Sequence, residues 1–263
     1  MSEPVRVSAV SFLNARPLTV GLERETALFD VSMDLPSTCA ARLHAGDVDL
    51  GLIPAIEYVR GDYALVPGMA IGSDGPILSV AIFTTRPMAQ VRRLALDTSS
   101  RTSVALTHVL CAKLWQVAPE MIPAAPDLDA MLAVADAALI IGDPALDIDP
   151  LPAGVEKVDL GEAWKTLTGL PFVYAAWAGR PGALTPAHVA ALAAARVRGL
   201  AAVDVLSAEA ALGDATRAAV LASYLRHNLR YAFGPREQAG LARFFALAAE
   251  VGHTSRALPL RFY

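Results

Sequence analysis

Residues 94–103 (LALDTSSRTS) run from an apolar stretch into five hydroxyl-bearing side chains, Thr98, Ser99, Ser100, Thr102 and Ser103, and then into a helix-forming segment. A strand that feeds such a turn and then a helix leaves backbone N–H groups unpaired, adds hydroxyl donors and aims the positive end of a helix dipole at the same point. The ligand suited to that chemistry is an anion, a carboxylate or a phosphate. Charge-assisted hydrogen bonds contribute about 1.5–3 kcal/mol each, whereas the dipole alone gives about 0.3–1 kcal/mol, so hydroxyls and amides would decide the affinity. The same spacing equally suits a Ser99 or Ser100 that only caps the helix.

A second group, residues 11–17 (SFLNARP), follows the first strand-like segment at its carboxyl end, where open α/β sheets bind ligands. Asn14 can both donate and accept, and Arg16 can grip a carboxylate with two parallel bonds. The alternative is an Asn-stabilised turn with a surface arginine. Ser79 lies in a strand-like stretch, where its hydroxyl faces a cleft or bonds the backbone. Gly142 and Asp143 close another strand, with Asp143 free to reach a ligand or to cap the next turn. Glu57 and Tyr58 follow Pro54 and read as a solvated helix face more readily than as cleft lining. His108, one turn beyond Val104, suits a structural imidazole better than a base. P-loop, GxGxxG, HExxH and GxSxG patterns are all missing from the sequence, which argues against nucleotide, metalloprotease and α/β-hydrolase chemistry. Cys39 and Cys111 stand far apart without a CxxC pair or a Cys/His cluster, the pattern of free core thiols and not of a metal site.

The elements that must position these groups alternate. Strands are predicted at 5–9, 31–35, 47–53, 65–71, 77–83, 94–97, 137–141 and 170–177 from period-two or continuous apolar runs. Pro36 should stop the second strand, with Ser37 or Thr38 capping a helix that ends at Gly46. A helical turn is expected at 55–59 and helices at 101–115 and 127–135. From Thr185 onward the chain turns helical, over 187–203, 214–231 and 234–249. This order predicts an α/β protein of two lobes, residues 1–84 with 175–263 and residues 85–174, joined by hinge strands around a cleft.

The 263 residues suffice for a large core, and 54% hydrophobic with 18% charged composition is that of a globular protein. A net charge of −4 and a pI near 5.7 give no footprint for nucleic acid. Mean hydropathy is +0.43, yet charged residues, Gly and Pro interrupt every apolar run before the roughly 20 residues a membrane span needs. Residues 1–10 lack the basic and apolar segments of an export signal, so the cytoplasm is the expected compartment. No obligate protein partner is indicated.

Four segments, VSFLNARPL from Val10, DVDLGLIPAIEY from Asp47, LALDTSSRTSVAL from Leu94 and DAALIIGDPAL from Asp136, together resemble the chorismate dehydratases of the futalosine route to menaquinone, the MqnA family. WKTLTGLPFVYAAW from Trp164 extends the likeness. Phe12 and Ala15 depart from that family's pattern, in which tyrosine and threonine are usual. The resemblance implies a fold like the type II periplasmic binding proteins and conversion of chorismate to 3-[(1-carboxyvinyl)oxy]benzoate and water, with no metal or redox cofactor demanded. It implies that Asn14 orients the reacting groups, that Ser79 donates from the hinge, and that Ser100, Thr102 and Ser103 hold a substrate carboxylate, with Arg16, Gly142 and Asp143 as further candidates at the substrate. Two rival functions share the architecture: a 1,4-dihydroxy-6-naphthoate synthase-like enzyme, and a non-catalytic solute-binding protein for a small anion.

Overall fold

The computed structural model describes residues 3–255 and 257–263. Its strands are β1 (Val5–Val10), β2 (Phe29–Asp34), β3 (Leu50–Pro54), β4 (Ala64–Ser73), β5 (Val80–Thr84), β6 (Arg93–Asp97), β7 (Glu120–Ala124), β8 (Ala137–Ile141), β9 (Glu156–Asp159), β10 (Phe172–Gly179) and β11 (Arg230–Phe233). They form a six-stranded sheet in the order β11-β4-β10-β3-β1-β2 and a five-stranded sheet in the order β7-β6-β8-β5-β9. β1 lies parallel to both β2 and β3, and β10 returns antiparallel between β3 and β4. In the second sheet β6 is parallel to β7 and β8, while β5 runs antiparallel to β8 and β9.

Burial explains why the apolar runs became central strands. Every residue of β3, β5, β8 and β10 is buried, as expected for strands covered on both faces. Alternation along the second sheet then divides its residues between two cores. Val80, Ile82, Leu94, Leu96, Leu139 and Ile141 face the main core, whereas Ala81, Phe83, Ala95, Ala138 and Ile140 face a smaller one closed by Met131 and Ala145.

Val80–Thr84 pairs with β8 and β9, so the chain leaves the first sheet at Ser73 and crosses over residues 74–79. An apolar strand signal cannot say which sheet will accept the strand. The return crossing passes through the helix Leu160–Thr168 and enters β10 at Phe172, where Trp164, Phe172 and Phe244 pack edge to face. The second strand ends before Pro36, as expected, but the helix opens on Pro36 itself, Pro36–Ala45, with Leu35 at the cap in place of Ser37 or Thr38; the fixed φ of proline suits the first helical position. The strands absent from the expectation, β7, β9 and β11, all lie at sheet edges, where β7 and β9 contain no buried residue and β11 buries only Tyr231 and Phe233. β11 also cuts short the helix expected to reach residue 231, which ends at Ser223 and continues as the π-helical turn Tyr224–Asn228.

One carboxylate ties the two crossings together. Asp159 accepts the N–H groups of Ile77 (3.0 Å), Leu78 (2.6 Å), Gly161 (2.8 Å) and Glu162 (3.1 Å), capping one helix while gripping the outgoing strap. Leu78, in that strap, adopts φ +66°. Cys39 and Cys111 are buried free thiols whose pKa values burial pushes up to about 11 and about 12. Among the described residues no helix is long and apolar enough to cross a membrane.

A candidate active site between the two sheets

The carboxyl ends of β1, β3 and β8 converge on a cavity between the two sheets. Apolar walls come from Val10, Phe12, Pro36, Ile71, Ile77 and Ile141, and the polar side chains that reach it are Asn14, Ser79, Ser100, Ser103 and Tyr174. No Asp, Glu, His, Lys or Arg lines it among the described residues.

Asn14 sits in the single turn Leu13–Ala15 that follows β1. Its backbone carbonyl accepts the Tyr231 hydroxyl at 2.8 Å, which fixes the turn. Its side-chain Oδ1 is buried and has no protein partner among the described residues. A buried acceptor left open in a cavity costs free energy unless a ligand or water supplies a donor. Ser79 is fully buried; its Oγ accepts from the Tyr224 hydroxyl at 2.7 Å and its carbonyl accepts the Gly142 N–H at 2.7 Å.

The turn after β6 both caps and lines. Ser100 is the N-cap of the helix Arg101–Leu110, its Oγ accepting the Ser103 N–H at 3.5 Å and the Ser103 hydroxyl at 3.2 Å, and both serines border the cavity. Asp97 stiffens the approach by accepting the N–H groups of Ser99 (2.9 Å) and Ile141 (3.3 Å). Thr102, expected beside them, points elsewhere: its Oγ1 accepts the Ile56 N–H at 3.1 Å in the protein interior.

Two more candidates leave the cavity. Arg16 is half-exposed and pairs with Glu209 at 2.8 Å, a partner 193 residues away. Asp143 accepts the Leu13 N–H through both oxygens at 3.2 Å and borders a separate cavity with Leu146, Arg217 and Leu221. Burial raises the Asp143 pKa, only partly offset by the Leu13 N–H. Glu57, expected on a solvated face, is fully buried against His44 (2.7 Å), Arg101 (2.8 Å) and Arg60 (3.4 Å). Burial by itself would raise its carboxyl, but those three partners hold it below its usual range. Arg101 is thereby drawn away from the cavity that its neighbour Ser100 lines. His108 packs against His253 with tilted rings whose centroids are 5.1 Å apart and is not among the residues lining the cavity. Among the described residues no group of His, Cys, Asp and Glu is placed to hold a metal ion.

Gly142 closes the far wall with φ +70° and ψ −150°, a region essentially reserved for glycine. A Cβ there would stand 3.0 Å from the Phe12 ring. Gly142→Ala is expected to cost about 1–3 kcal/mol and to push Phe12 into the cavity. Thermal unfolding measures the first effect, and an unchanged melting temperature would refute it.

Residues 5–250 match the sequence model of a family described as menaquinone biosynthesis. Chorismate dehydratase of Thermus thermophilus is 30% identical over 255 residues, spanning 89% of this chain and 91% of that protein. A solved structure of an Archaeoglobus fulgidus protein superposes with a TM-score of 0.73 at 16% identity, covering 96% of this chain and 99% of that one. The periplasmic aliphatic sulphonate binding protein of Escherichia coli superposes with a TM-score of 0.67 at 16% identity, covering 100% and 92%. At these identities the structural likeness is one of fold, and it is the binding-protein-like α/β fold of two lobes that the sequence led us to expect.

Proposed function

This chain belongs to the menaquinone biosynthesis family, and from that premise we propose that it is a chorismate dehydratase, a hydro-lyase converting chorismate to 3-[(1-carboxyvinyl)oxy]benzoate and water on the futalosine route, with the cytoplasm as its compartment. The observation that carries the reading is the unpartnered Asn14 Oδ1 in a cavity whose other polar side chains are neutral hydroxyls.

The reaction removes the ring hydrogen beside the enolpyruvyl ether oxygen and the neighbouring hydroxyl, and the ring becomes aromatic. Electrons stay within the ring, so no oxidant or reductant enters. What the protein supplies is placement and oriented dipoles. Ser100 and Ser103, with the N–H groups at the start of the helix Arg101–Leu110, hold one substrate carboxylate. Asn14 orients the reacting groups, and Ser79 donates a hydrogen bond from the crossing strap. Among the described residues no carboxylate, imidazole or amine lines the cavity; the second substrate carboxylate, held by the Asn14 Nδ2 amide while Oδ1 accepts from the substrate hydroxyl, takes the ring proton. We take the lobes to follow the sheets, with the crossings at 74–79 and 160–171 as the hinge.

Incubation of the purified protein with chorismate tests this directly, because the aromatic product separates from substrate by chromatography and mass. Binding without turnover would favour a solute-binding protein; neither binding nor turnover would favour the naphthoate synthase-like alternative. In the same assay Arg16→Ala should leave kcat and KM within about twofold of the parent, because an exposed ion pair contributes only ~0–1 kcal/mol. A large rise in KM would return Arg16 to the site.

A further inference from the structure

Ser79 receives its orientation from the C-terminal helices, which lie outside the five sequence motifs named at the outset. Tyr224 opens the π-helical turn Tyr224–Asn228 and is 1% exposed. Single π turns inside helices concentrate at functional sites. The Tyr224 hydroxyl donates to Ser79 Oγ at 2.7 Å. With its oxygen occupied as acceptor, Ser79 must send its one proton elsewhere. Among the described residues it donates to no protein acceptor, and its side chain borders the cavity. The remaining direction for that proton is the ligand.

Burial drives the Tyr224 pKa far up, so the phenol remains a donor throughout the neutral range.

We propose that Tyr224 is a positioning residue that aims the Ser79 proton into the cavity, where it acts on the bound molecule. The proposal rests on the reading of this cavity as a chorismate dehydratase site.

A double-mutant cycle on chorismate turnover tests it. Tyr224→Phe removes one oxygen and keeps the ring, and it should lower kcat about fivefold to tenfold, the effect of one neutral hydrogen bond, with KM little changed. Ser79→Ala should lower kcat at least as much, and the double variant should match Ser79→Ala alone. Parental kcat in Tyr224→Phe, or a double-variant loss equal to the product of the two single losses, would overturn the proposal. If Tyr224→Phe does not unfold cooperatively, a fluorotyrosine at 224 keeps the shape and alters only the phenol's acidity. It should then change kcat in the parent and not in the Ser79→Ala background; equal changes in both would overturn the proposal. A parent protein without chorismate turnover removes the functional reading and this inference with it, whereas an active parent with an indifferent Tyr224 removes this inference alone.

Discussion

Asn14→Ala is expected to lower chorismate turnover by about 10²- to 10³-fold, the effect of removing one preorganised polar group aimed at a reacting centre, while leaving thermal stability close to that of the parent. The two halves of this expectation come from different atoms. Stability in the Leu13–Ala15 turn depends on the backbone carbonyl of Asn14, which accepts from Tyr231 and survives the substitution. Turnover depends on Oδ1, which has no protein partner among the described residues and is therefore an acceptor reserved for whatever fills the cavity. Removing an unsatisfied buried acceptor relieves a cost and breaks no protein bond to that atom. A residue of purely structural importance would behave in the opposite way, losing melting temperature first and activity in proportion. Single-turnover rates with chorismate, set beside calorimetric melting, distinguish the cases. Parental turnover in Asn14→Ala would remove Asn14 from the chemistry and leave the orphaned oxygen without a purpose.

How much of this site was legible in the sequence depended on whether the informative contacts were local. The hydroxyl-rich turn after β6 was recognisable because a strand, a polar turn and a helix leave a signature within ten residues. Its finer geometry was present too and was passed over. In a helix that begins at Arg101, positions 100 and 103 share a face while 102 is turned by about 100°, so Ser100 and Ser103 could reach one cavity only if Thr102 did not. The surroundings of Arg16 and Asp143 were not legible for a different reason. Their partners, Glu209 and the Leu13 N–H, lie 193 and 130 residues away, and no spacing rule reaches that far. The sheet that accepts β5 is likewise a long-range choice. Tyr224 left no signal, being one aromatic in an alanine-rich helical tail that looks like core.

Asp159→Ala should be the most destabilising of these substitutions and should also impair the site from a distance. The lost helix cap costs about 1 kcal/mol. Each charge-assisted bond to the strap costs about 1.5 kcal/mol at the lower end, so with Ile77 and Leu78 both released the total is about 4 kcal/mol. Ile77 is buried, so its N–H finds no water to replace the carboxylate. Leu78 adopts φ +66°, a conformation unfavourable for a side chain of its size, and the 2.6 Å bond to Asp159 is what holds it there. Once that bond goes, the strap can relax toward negative φ and carry Ser79 with it, away from Tyr224 and the cavity. The expected result is a lower urea midpoint together with a fall in kcat that persists well below the melting temperature, where the protein is fully folded. Asp159→Asn should recover part of both, because its amide oxygen still accepts while the charge is gone. If Asp159→Ala lost less than about 1 kcal/mol, or lost stability with full activity in the folded state, the strap would not be what positions Ser79.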